Sequence, residues 1–119
     1  MNVSNPEMID PRIPHSGGSK RDFLAVTDFS PEEVMDVFKK TEELKTDRFR
    51  ECFKNKAVGL IFQKPSLRTR VSFQVGVWQL GGQCMSLSPA EVNIGVRESV
   101  KDAAQTLSRY LDLVVARVF

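Results

Sequence analysis

The run AVGLIF at residues 57–62, followed at once by QKPSLRTR at 63–70, is the stretch on which the fold turns. Six apolar residues without alternation suit a strand covered on both faces, as in parallel sheets. Pro65 keeps Lys64 out of the helical region and Ser66 is a natural N-cap, so a helix is expected to begin there. A buried strand running straight into a helix start is the first half of a β-α-β unit. Over residues 66–80 two apolar stripes, Val71/Val75/Trp78 and Phe73/Val77/Leu80, recur at helical spacing. They predict a helix covered over much of its circumference and ended by Gly81 and Gly82. Residues 83–87 then read as a second strand.

Upstream, SPEE at 30–33 marks another helix start, with Ser30 as N-cap, Pro31 at the first helical position and Glu33 closing a capping box. Val34, Val37, Phe38, Thr41 and Leu44 follow at helical spacing, which predicts one buried face as far as about Thr46. Downstream, residues 89–97 are expected to form a loop. Residues 98–111 should form a third helix, with Val100, Ala104, Leu107 and Leu111 on its inner face. LVVARV at 113–118 reads as a third strand. The order α-β-α-β-α-β predicts an α/β fold, a parallel sheet with flanking helices and right-handed crossovers. Residues 1–20, with Pro6, Pro11, Pro14 and the pair Gly17 and Gly18, are expected to be a flexible tail ahead of a unit spanning 21–119. The sequence stops one residue after that third strand, with no helix to cover it, so the unit is expected to be part of a larger domain.

The 119 residues carry 17 Lys+Arg against 15 Asp+Glu, a net charge of +2 that argues for neither a nucleic-acid nor a membrane partner. Apolar residues make up 41% and charged residues 27%, an ordinary globular mixture with enough apolar side chains for one core. No apolar run approaches the roughly 18 residues that span a bilayer. The first 19 residues hold no apolar signal core either. Cys52 and Cys84 are far apart and form no CxxC pair, so reduced, free thiols in a cytoplasmic chain are expected. His15, the only histidine, lies in the tail, which leaves a Cys/His metal site or a His-assisted nucleophile without its parts. Neither GxGxxG nor a P-loop signature occurs. No metal and no cofactor are expected. Any chemistry must rest on arginines, hydroxyls and backbone groups.

The first turn of a helix leaves about four N–H groups unpaired and carries roughly half a positive charge. Into that turn the sequence puts Arg68 and Arg70, with Lys64 just before it, where cations oppose the helix dipole. An anion at that spot resolves the conflict. Free N–H groups, the hydroxyls of Ser66 and Thr69 and the guanidinium forks would cradle a phosphate at the carboxyl end of a parallel strand. The alternative is a capped helix whose arginines point into solvent or pair with acidic neighbours. Arg117 interrupts the third strand near its carboxyl end. There it could polarise a ligand carbonyl or hold its phosphate, or it could simply emerge at the sheet rim. The loop at 90–97 offers Asn93 and Arg97, which by themselves signal only an ordinary polar loop.

Ser66-Leu67-Arg68-Thr69-Arg70 resembles the S-T-R-T-R carbamoyl-phosphate motif of the aspartate/ornithine carbamoyltransferase family. FLAVTDFSPEE at 23–33 is similar to the family's opening. KPSLRTRVSFQVGVWQLGG at 64–82 and GVRESVKDAAQTLSRYLDLVVARVF at 95–119 resemble its ornithine branch, so the likeness covers about residues 22–119. The resemblance implies a partial carbamoyl-phosphate-binding domain. It implies that Ser66, the backbone of Leu67, Arg68 and Thr69 hold the phosphate, with Arg70 completing the motif. Arg117 matches the arginine that contacts both phosphate and carbamoyl carbonyl. Asn93 falls where the branch often has glutamine, in a loop that reaches a neighbouring subunit's site. Three positions depart from the family pattern: Leu67 for the common Thr, Gln63 for a frequent Glu, and Asn93, one methylene shorter than Gln.

The implied reaction is attack of the δ-amine of ornithine on carbamoyl phosphate, giving citrulline and phosphate, as in arginine biosynthesis. Arg68, Thr69 and Arg117 would be its catalytic groups, with no metal and no covalent intermediate. The resemblance also implies a homotrimer. No H-P-x-Q or H-C-L-P segment and no ornithine-binding motif occur in these 119 residues, so ornithine would bind through a domain that they do not include. Two other readings stay open: a different acceptor amine such as N-acetylornithine, or a non-catalytic anion-binding or assembly fragment.

Overall fold

A computed structural model of the chain describes residues 22–88, 90 and 99–118. The 1–20 tail, His15, Asn93, Arg97 and nearly all of the expected 89–97 loop lie outside the described residues. The chain divides into two units, Met1–Arg48 and Phe49–Phe119.

In the first unit, helix α1 spans Pro31–Thr46. Its start is the capping box read from the sequence: the Glu33 N–H donates to Ser30 Oγ at 3.2 Å, and the Ser30 N–H donates to the Glu33 carboxylate at 2.8 Å. A short 3₁₀ turn, Val26–Asp28, precedes it, closed by the Asp28 carboxylate, which accepts from the N–H groups of Leu24 and Ala25. The expected buried face is absent from α1. Val34 and Leu44 are half-buried, while Val37 and Phe38 are exposed. The cap and i,i+3 ion pairs such as Lys40–Glu43 support α1 locally.

The second unit is built on β1, Ala57–Phe62. It lies at the centre of a three-stranded sheet with β2, Gln83–Leu87, on one side and β3, Leu113–Arg117, on the other. Both pairings are parallel, with Val58 opposite Cys84 and Leu113, and Phe62 opposite Arg117. The sheet order β2-β1-β3 follows from two crossovers, and the four central residues of β1 are all buried. That is the physical meaning of the unbroken AVGLIF run. On one face Val58 and Leu60 meet Val77 of helix α2, Leu67–Gln79, with Phe53, Phe62, Cys84 and Val115 packed around them. Fully burying a side chain such as Leu60 contributes about 1.5–3 kcal/mol. On the other face Gly59 leaves a notch occupied by Leu111, whose Cδ1 lies 2.5 Å from where a Cβ at residue 59 would stand.

Helix α2 is covered less than its two stripes predict. Val77 alone is buried, and Trp78 is 64% exposed with its ring edge-on to Phe49 at 5.7 Å. One sheet face can cover only one side of a helix. The turn after α2 needs glycine, because Gly81 has φ +85° and a Cβ there would stand 3.2 Å from Arg50 O. Helix α3, Val100–Leu107, is shorter than the expected 98–111 and is capped by Ser99, whose hydroxyl accepts from the Asp102 N–H. Its inner face is also displaced. Ala103 is 4% exposed and Leu107 half-buried, whereas Val100 is 64% exposed and Ala104 is exposed too. Leu111 leaves the helical path to fill the Gly59 notch, so helical spacing counted back from it misplaces the face.

Candidate functional site

Three parallel strands put all their carboxyl ends on one side of the sheet, and the QKPSLRTR segment leaves from the central one. The Gln63 N–H donates to Arg117 O at 3.0 Å, carrying the β1–β3 ladder one residue into that segment. Arg117 is two residues beyond Val115, which packs on the Val58–Leu60–Val77 face, so strand alternation puts Arg117 on the α2 side of the sheet. The register and the alternation thus bring Arg117 to the same end and the same face as the start of α2.

At that start Ser66 occupies the N-cap position, but its hydroxyl caps no backbone N–H. This corrects the expectation of a side-chain cap. Ser66 Oγ lies 2.9 Å from Thr69 Oγ1, so the two half-buried hydroxyls form a pair, and the first helical bond runs from the Arg70 N–H to Ser66 O at 3.0 Å. Among the described residues the N–H groups of Leu67, Arg68 and Thr69 meet no acceptor, and Arg68 and Arg70, both exposed, meet no carboxylate. The first turn of α2 holds no acidic residue, while α1 begins with Glu32 and Glu33 and α3 with Asp102. Three donors, two hydroxyls and two guanidinium groups without a counter-charge among the described residues have the chemistry to hold a small, multiply charged anion. Leu67 is 70% exposed, so its side chain carries no packing role and its backbone N–H remains available.

Asn93, the remaining expected contact, lies outside the described residues. Among the described residues no cluster of His, Cys, Asp or Glu could hold a metal, and no helix is long and apolar enough to cross a membrane. Burial pushes the thiols of Cys52 and Cys84 above the usual thiol range, which makes them poor nucleophiles near neutral pH. Sequence reading passed over Asp112. Its carboxylate accepts from the Ala57 N–H at 2.9 Å and meets Lys56 Nζ at 3.0 Å, at the opposite end of β3 from Arg117. An acidic residue immediately before an apolar strand was the available signal.

Residues 21–119 match the family model described as aspartate/ornithine carbamoyltransferase, carbamoyl-P binding domain. The chain is 41% identical over 108 residues to the chloroplastic ornithine carbamoyltransferase of Pisum sativum, covering 87% of this chain and 29% of that one. It is 42% identical over 111 residues to the ornithine carbamoyltransferase of Chlorobaculum tepidum, covering 87% and 32%. The chain therefore spans about a third of the length of these curated relatives. Among solved structures it matches the Thermus thermophilus ornithine carbamoyltransferase with a TM-score of 0.76 and 39% identity, over 85% of this chain and 36% of that one. An N-acetyl-L-ornithine transcarbamylase matches with a TM-score of 0.77 and 33% identity, over 84% and 33%.

Proposed function

The chain belongs to the aspartate/ornithine carbamoyltransferase family, and from that premise we propose that it supplies the carbamoyl-phosphate side of a carbamoyl transfer to the δ-amine of ornithine. The observation that carries the reading is the α2 start, where unpaired N–H groups and uncountered arginines sit at the carboxyl end of β1, the end and the face of the sheet on which Arg117 lies. In this reading the N–H groups of the first turn, Ser66 and Arg68 hold the phosphate, with Arg70 adding charge. Arg117 and the Thr69 hydroxyl face the carbamoyl oxygen. As the amine attacks the carbonyl carbon, negative charge builds on that oxygen, and donors already in place stabilise it without reorganising. The C–O bond to phosphate then breaks as the proton of the attacking amine passes to the departing phosphate oxygen, and the cradle holds the leaving hydrogen phosphate dianion. Positioning and electrostatics do the work, and no step needs a metal.

Asn93 would reach into a neighbouring subunit's site within a homotrimer, a role carried by the family resemblance. Two free, poorly acidic thiols fit a reducing compartment, in our reading the cytoplasm. N-acetylornithine is the second acceptor to consider, because the solved N-acetyl-L-ornithine transcarbamylase matches this chain as well in fold as the ornithine enzymes do.

The test is carbamoyl-product formation by the full protein with ornithine and N-acetylornithine offered separately. Citrulline from ornithine at the higher kcat/KM supports the first reading, and preference for the acetylated amine replaces it with the second. Transfer to neither, together with no binding of carbamoyl phosphate, refutes both.

A further inference from the structure

We propose that Asp112 is a positioning residue for Arg117: it locks the register of β3 against β1 and so sets the distance from Arg117 to the phosphate turn. This rests on the reading of Arg117 as a carbamoyl-phosphate contact.

The sequence of β3 does little to define its own register. Leu113, Val114, Val115 and Ala116 are all apolar, so no polar alternation tells one face from the other, and within the described sheet β3 pairs only with β1. A slip by two residues keeps every side chain on its face, yet it moves the strand by about 6.6 Å at roughly 3.3 Å per residue. That is more than twice the length of a hydrogen bond, and it would take Arg117 out of reach of a ligand seated on the first turn of α2.

Asp112 opposes such a slip at the amino end of the strand. Its N–H donates to Ala57 O at 2.9 Å, its Oδ2 accepts from the Ala57 N–H at 2.9 Å, and its Oδ1 meets Lys56 Nζ at 3.0 Å. Only an acceptor side chain of this length satisfies the Ala57 N–H while its own backbone serves the Ala57 carbonyl. One residue earlier, Leu111 fills the Gly59 notch, which admits it at no neighbouring β1 position because only residue 59 lacks a Cβ. Bond and notch together fix Leu113 opposite Val58, and four residues on this becomes Arg117 opposite Phe62, beside the Gln63 N–H. Asp112 itself is too far along the strand to touch the ligand.

The experiment is a double-mutant cycle read by calorimetric titration of the full protein with carbamoyl phosphate. D112A in the native background is expected to weaken binding about tenfold, roughly the loss of one well-made charged contact. In an R117A background the same change is expected to alter affinity less than twofold, because the group it positions is gone. D112N keeps an acceptor for the Ala57 N–H and is expected to recover most of the affinity, and it replaces D112A in the cycle if the alanine variant does not fold. An equal loss in both backgrounds would make Asp112 a general stability residue and overturn the proposal, as would native affinity in D112A. Native affinity in R117A would instead overturn the reading of Arg117 on which it rests.

Discussion

Replacing Arg68 by alanine separates ligand binding from folding, because the structure gives this side chain no structural task. Arg68 is exposed, lies in the first turn of α2 and has no carboxylate partner among the described residues. If it donates to a bound phosphate, its loss removes a charge-assisted hydrogen bond worth about 1.5–3 kcal/mol, a ten- to hundred-fold rise in Kd for carbamoyl phosphate. For the free protein the sign is opposite. Taking a cation away from the positive end of a helix relieves about 0.3–1 kcal/mol of unfavourable interaction at low salt. For a domain of this size that raises Tm by a few degrees at most. Calorimetric titration with carbamoyl phosphate and a thermal melt of the same two proteins read both quantities. Unchanged affinity together with a lowered Tm would refute the cradle, since that pair of results belongs to an arginine held in a surface ion pair.

Gly59→Ala puts a Cβ 2.5 Å from Leu111 Cδ1 and must push Leu111 out of its notch, so a loss of about 1–3 kcal/mol is expected in urea unfolding at unchanged m-value. Gly81→Ala forces a side chain into φ +85° against the Arg50 carbonyl and should cost about 1–2 kcal/mol by the same assay. The thiols of Cys52 and Cys84 are raised by burial, so the folded chain holds their protons at pH values where the unfolded chain has released them. Their contribution to stability is therefore full below the ordinary thiol pKa of about 8.5 and falls as pH rises past it. Melts from pH 7 to 10 on the native chain and on a double Cys→Ser variant check this: the native chain should lose more on the alkaline side. Iodoacetamide at pH 7 should also modify the folded thiols more slowly than a small-molecule thiol.

The strands and the starts of α1 and α2 were legible because each is written in neighbouring residues. A strand buried on both faces is an unbroken apolar run, a capping box is four residues long, and arginines against a helix dipole conflict within one turn. The inner face of α3 was misread because it depends on Leu111 meeting Gly59, a contact between residues more than fifty positions apart. The Ser66 cap was misread because its hydroxyl chose Thr69 over a backbone N–H, and residue type cannot decide between two acceptable partners.

Family membership of this protein is thus legible in the sequence alone: S-L-R-T-R after a buried strand, with an arginine in a later strand, points to the family without coordinates. Only the tertiary structure decides that β3 lies beside β1 rather than beyond β2, and in a register that brings Arg117 to the Gln63 N–H. The reason lies in the range of the forces. Caps, dipoles and apolar periodicity act over one or two turns of chain. Strand neighbours and register are set by hydrogen bonds and packing between distant residues, here the Asp112–Ala57 bonds and the Leu111 notch, and their pairing is fixed only once the chain has closed on itself.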